Sequence, residues 1–168
     1  MIHMNVLFII VLTLFAVISR LVPHPPNFTP LLAIALYSGI CFKNKFLFII
    51  PLMSMILSDF FLGYHNSMIW IYLSFLMVFY IGYTQSKKYS FKNLILLSFF
   101  SSTLFFVVSN FGVWIIGYPK TIEGFITCYV LAIPFFHNTL LSTILFSSIF
   151  HFSYKYSATI FDSKKELI

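Results

Sequence analysis

Apolar residues run along this chain in long blocks separated by short polar breaks, without the strict alternation a half-buried strand would show. A bilayer core about 30 Å thick asks for roughly 20 apolar residues per helix, with about 17 as a lower bound. Asn5–Val22 forms the first block, polar only at Thr13, Ser19 and Arg20. Pro23-His24-Pro25-Pro26-Asn27-Phe28-Thr29-Pro30 follows, too rich in proline to be regular helix. Pro30–Phe42 is helix-compatible but short, about 20 Å at 1.5 Å per residue; it either crosses with help from the preceding loop or re-enters. Phe46–Tyr64, Met68–Thr84 and Leu94–Ile116 are full-length blocks, broken by Gly63–Ser67, Gln85–Asn93 and Gly117–Thr121. The last block, Ile122–Tyr156, is too long for one straight span, and Pro134 divides it into an interfacial piece near Ile122–Ile133 and a span from Pro134 to about Tyr154. The pattern predicts an all-α membrane protein: one domain over residues 1–168, a six-helix transmembrane bundle with one short or broken second helix. Its spans are expected near 5–22, 30–42, 46–64, 68–84, 94–116 and 134–154.

Composition agrees. Hydrophobic residues make up 60% and charged residues 8%, where a soluble domain is about a quarter charged. The net charge of +6 raises nucleic acid as a partner, but the positions of the lysines exclude a basic binding face. Lys43, Lys45, Lys87, Lys88, Lys92, Lys155, Lys164 and Lys165 fall in the breaks after the second and fourth blocks and in the tail, whereas the alternate breaks hold Arg20 and Lys120. The positive-inside rule then puts both termini in the cytoplasm of a bacterial inner-membrane, multi-pass protein. A re-entrant second segment would move Lys43 and Lys45 outside, which favours six spans over five. Met1–Asn5 lacks Lys and Arg and no small-x-small cleavage site follows the first block, so that block is read as an uncleaved helix rather than a signal peptide. Cys41 and Cys128 lack metal or redox spacing and belong near opposite membrane faces, so both read as buried small hydrophobes.

Assigning sides gathers the polar residues. Arg20, His24, Asn27, Asp59, His65, Asn66, Asn110, Trp114, Lys120, Glu123, His137 and Asn138 all fall on the outer side or in the outer third of a span. Asp59 is the one acid inside an expected span, and a carboxylate there is costly enough to need a partner. Arg20, at a similar depth on the first helix, is that partner; the pair would either lock helix packing or anchor a polar ligand. The proline-rich segment offers rigid backbone with free carbonyls, tolerated at membrane depth where it lines a cavity. Asn110 and Trp114 share a helix face, and Trp114 also suits an interfacial aromatic belt. His24, His65 and His137 show no HxH, HxxxH or CxxC spacing, so no metal site is expected. No serine lies in a nucleophile motif, and Ser98, Ser101, Ser102 and Ser109 read as a packing stripe. No enzymatic activity and no cofactor are expected, and without a phosphate-binding loop the chain cannot energise transport with ATP alone.

The string Ser19-Arg20-Leu21-Val22-Pro23-His24-Pro25-Pro26-Asn27-Phe28-Thr29-Pro30 resembles an uncharacterised bacterial family of small membrane proteins proposed to act in transport. The likeness continues through Leu57-Ser58-Asp59, Ser109–Trp114, Tyr118–Thr121 and Pro134–Thr139. In size and six-helix layout that family is similar to the substrate-binding (S) components of energy-coupling-factor transporters. The resemblance implies outward-facing capture of a vitamin-like molecule or ion, released by a separate membrane coupling subunit with ATPases. S components commonly carry an Ala-x-x-x-Ala docking face on the first helix; here Leu12 and Arg20 flank Ala16. The expected function is uptake of a small polar or vitamin-like molecule, with Arg20, His24, Asn27, Asp59, Asn110, Trp114, Lys120 and His137 lining the site. Membrane lipid and the small-molecule substrate are the expected partners. The rival expectation is a non-catalytic structural or assembly subunit whose outer polar cluster locks the helices.

Overall fold

A computed structural model describes residues 6–41, 45–86 and 90–165. Asn5, Phe42, Lys43, Asn44, Lys87 and Lys88 of the expected spans and basic breaks lie outside the described residues. The described residues form six α-helices in order: α1 (Val6–Leu21), α2 (Leu31–Cys41), α3 (Ile49–Leu62), α4 (Met68–Gln85), α5 (Phe91–Gly117) and α6 (Ile122–Lys165), with a 3₁₀ turn, Lys45–Phe48, leading into α3. No strand occurs among the described residues.

Among the described residues, three helices are long and apolar enough to cross a bilayer: Met68–Gln85, Phe91–Gly117 and the Ile122–Tyr156 part of α6. The apolar stretches Ile10–Leu21, Leu31–Ile40 and Phe46–Leu62 are shorter. The shortest helix is the centre of the molecule. Every residue from Pro30 to Ile40 is buried, and α2 touches α3, α4, α5 and α6. Its sequence, LLAIALYSGIC, is apolar on nearly every face, as a helix surrounded by others must be. α1 lies at the periphery and packs chiefly on α3.

Glycine sets the closest crossing. A Cβ on Gly39 of α2 would overlap the Phe79 carbonyl oxygen of α4 and lie 2.7 Å from the Tyr83 amide nitrogen. A Cβ on Gly82 of α4 would overlap the Leu36 carbonyl of α2. The two backbones therefore touch through reciprocal glycines, the small-residue route to close helix approach in apolar surroundings. The serine stripe of α5 is buried at Ser98, Ser101, Ser102 and Ser109. Ser98, Ser102 and Ser109 each donate to the carbonyl four residues back, which lets a hydroxyl be buried without a partner on another helix.

The expected division of the last block at Pro134 is absent: α6 runs unbroken for 44 residues with Pro134 inside it. An internal proline costs about 3 kcal/mol and one backbone hydrogen bond. Breaking the helix in apolar surroundings would orphan several polar groups at several kcal/mol each. Contacts with α5 lie on both sides of Pro134: Tyr129 Oη donates to the Val107 carbonyl (2.8 Å), and Phe91 packs against His151.

Candidate functional site

The C-terminal ends of α1 and α3 meet through charge. Arg20, in the last turn of α1, places Nη1 2.7 Å from Asp59 Oδ1, 2.6 Å from Ser58 Oγ and 3.3 Å from Met55 Sδ. Met55, Ser58 and Asp59 share one face of α3 because residues three and four apart are neighbours on a helix. Asp59 is fully buried. It stands in the last turn of α3, where the helix dipole disfavours an anion, so it depends on outside compensation. Arg20 supplies the opposite charge as an ion pair, without an aligned hydrogen bond to Oδ1. Tyr72 Oη of α4 donates to Oδ2 at 2.7 Å. The network joins three helices, and Arg20 at the C-terminal end of α1 gains from that helix's dipole.

The proline-rich loop is a turn fastened to α6. The Phe28 amide donates to the Pro25 carbonyl at 2.9 Å, and Asn27 has φ 63°. This is the pattern of a type II turn, with Pro26 at the position that wants a fixed negative φ and Asn27 at the position that wants a positive one. Asn138 Nδ2 of α6 donates to the Pro26 carbonyl at 2.9 Å, Ser142 Oγ to that of Asn27 at 3.4 Å, and Phe28 meets Phe146 edge-on. His24 Nδ1 stands 2.7 Å from the Pro25 carbonyl.

Between this loop, the α1–α3 ion pair and the bundle lies a cavity of about 330 Å³. Its rim carries Arg20, His24, Asn27 and Thr29, its floor is the start of α2, and Ile71, Phe75 and Phe105 form the apolar wall. Thr139 of α6 closes the side below the loop. A volume at the small end of ligand pockets, with apolar walls and a few convergent polar groups, suits a small amphipathic molecule.

Of the eight residues singled out from the sequence, Arg20, His24 and Asn27 line this cavity, and Asp59 sits behind Arg20. The other four lie elsewhere. Asn110 Nδ2 donates to the Phe106 carbonyl one turn back. Trp114 Nε1 donates to the Pro119 carbonyl at 3.1 Å. Lys120 Nζ donates to the carbonyls of Trp114 (2.8 Å), Tyr118 (2.9 Å) and Ile115, and lies 5.3 Å from the centre of the Trp114 ring. These contacts close the α5–α6 turn by capping the exposed carbonyls at the end of α5. His137 is exposed, with Nδ1 3.2 Å from the Ile133 carbonyl. Lys120→Ala is expected to speed amide exchange in the last turn of α5 while leaving the Arg20–Asp59 pair in place. Unchanged exchange there would show that the lysine does not hold the turn.

Sequence reasoning missed Tyr72, Ser58, Met55 and Thr139. Tyr72 was within reach: it and Asp59 stand almost equally far from the Gly63–Ser67 break, so an antiparallel α3–α4 pair puts them at one height. Among the described residues, no three His, Cys, Asp or Glu side chains cluster as a metal site would need.

The family described as a family of unknown function (DUF6580) matches residues 2–163. The chain belongs to that family. Its match covers the proline-rich turn, the ion pair and every residue lining the cavity. No curated protein and no solved structure matches the chain.

Proposed function

We propose that this chain is a six-span protein of the bacterial inner membrane, with both termini cytoplasmic, that captures a small polar or vitamin-like molecule at its outer face for uptake. The observation that carries the reading is the cavity. It combines a polar rim with apolar walls, at the end of the bundle that the lysine distribution assigns to the outside.

Six spans are supported by what the short helices expose. α1 turns Ile10, Val11, Leu14, Phe15 and Ile18 outward, and α3 turns out Ile49, Met53, Ile56, Leu57 and Phe60. Contiguous apolar surface on this scale needs a covering, and lipid supplies it. α2 needs no lipid-facing length, since protein surrounds it. The chain carries no phosphate-binding loop, so active uptake would need a membrane coupling subunit with ATPases. Ala16 does not serve as a docking face for such a subunit, because it is fully buried within this chain.

The test is ligand-dependent melting of the purified protein. A ligand at a hundred times its Kd adds about 2.7 kcal/mol of stability by mass action, read as a rise in Tm. A panel of vitamins and small metabolites is expected to contain at least one compound that produces this rise. A flat response to all of them would favour the second reading, a non-catalytic assembly subunit. That reading has an observation of its own: Asp59 has both oxygens engaged, by Arg20 and Tyr72, and is closed off from the cavity.

A further inference from the structure

We infer that the cavity takes an amphipathic anion, its acid group held side-on by Arg20 and its apolar part laid against Ile71, Phe75 and Phe105. The inference rests on the uptake reading and names the substrate class for that same cavity.

All of Arg20's polar contacts run through one nitrogen. Nη1 meets Asp59 Oδ1, Ser58 Oγ and Met55 Sδ. Nε–H and the two N–H groups of Nη2 have no partner among the described residues, and Arg20 is a cavity-lining residue. Nε and Nη2 form the flat edge of the guanidinium whose two parallel N–H bonds match the two oxygens of a carboxylate. Asp59 thus fixes the rotation of the guanidinium through Nη1 and leaves the other edge unoccupied.

The remaining lining agrees in sign. Among the described residues no acid lines the cavity, and Asp59 is fully buried behind Arg20. The rim adds His24, which is exposed and is not an acid. Leu31 and Leu32, at the N-terminal end of α2, line the floor, and the dipole of that helix favours negative charge there. A cationic head would meet Arg20 with no counter-charge, and a wholly apolar guest would bury the free N–H groups unpaired, which is costly.

The experiment compares acids with their own neutral forms in detergent-purified protein. Octanoate and 4-phenylbutanoate are each titrated against the corresponding primary amide and amine, following Tm. The acids are expected to stabilise the protein with an apparent Kd at least tenfold below that of the amides, and the amines not at all. Equal shifts from acid and amide would overturn the inference while leaving the binding reading standing. A larger shift from the amines would do the same. No shift from these probes, when an uncharged compound of the vitamin panel does bind, would also overturn it. No shift from any probe or panel compound would sink both. A further arm adds phosphatidylglycerol in mixed micelles: a shift from the lipid alone, with none from the soluble acids, would overturn a solute guest in favour of a lipid headgroup. Arg20→Lys keeps the positive charge for Asp59 but removes the flat edge, so acid-over-amide discrimination is expected to fall to about onefold. Discrimination that survives in Arg20→Lys would assign the anion to another group.

Discussion

Gly82→Leu is expected to abolish the folded protein, and Gly39→Leu to do the same. Each glycine sits where the other helix's backbone passes, so an added side chain meets carbonyl and amide atoms that cannot rotate aside. Overpacking a closed interface costs about 1–3 kcal/mol when side chains can yield. Here α2 and α4 must part instead, and α2 is the helix around which α3, α4, α5 and α6 are arranged. Alanine at either position already places a Cβ inside van der Waals contact, so Gly82→Ala is expected to cost about 3 kcal/mol. Gly117→Ala is the control: nothing lies within 4 Å of its Cβ position, and no loss of stability is expected. The measurement is the monodisperse yield and Tm of each variant in one detergent. Wild-type behaviour of Gly82→Leu would mean that the two helices do not cross at this distance.

Asp59→Ala is expected to cost roughly 3–5 kcal/mol, the usual penalty for removing one partner of a buried ion pair. The loss comes less from the missing attraction than from the guanidinium left without its counter-charge, together with a Tyr72 hydroxyl left without an acceptor. Removing both charges with Arg20→Met and Asp59→Leu is expected to restore most of the stability, since well-packed apolar replacements of a buried pair are often neutral. Melting curves of the single and double variants form the test; a single variant as stable as wild type would contradict a desolvated pair. The double variant also separates the two functional readings. A folded protein that no longer responds to ligand supports a binding role for Arg20, and a folded protein with full response assigns the pair to helix packing alone.

The ion pair was legible in the sequence because chemistry and depth both singled it out. One acid lies inside the expected spans, and one arginine lies at a matching height. The cavity walls were not legible, for a physical reason. In a soluble bundle the apolar face of a helix marks the core, but for a helix in a bilayer lipid and core are both apolar, so the rotation of a helix about its axis leaves little trace. Phe75 and Phe105 face the cavity while Phe99 and Phe100 point outward, and nothing in the residue types separates them. The same blindness grouped Trp114 and Lys120 with Arg20. Their height was readable, but their direction, toward the α5–α6 turn, was not. α2 carried a clue in being both the shortest block and apolar on nearly every side, which fits a helix enclosed by protein better than one facing lipid. Pro134 misled because a proline signals a break in water, where freed backbone groups find solvent, and signals much less where no solvent is near.

The proposed six membrane crossings, with the cavity open to the outside, have a direct test. Single cysteines at His24, His65 and Ser90, in a protein with Cys41 and Cys128 replaced by serine, test them in intact cells with a membrane-impermeant maleimide. All three positions are exposed, His24 on the cavity rim, His65 in the α3–α4 turn and Ser90 at the start of α5. Labelling is expected at 24 and 65 without permeabilisation and at 90 only after it. Labelling at 90 in intact cells, or at 24 only in permeabilised ones, would contradict that topology.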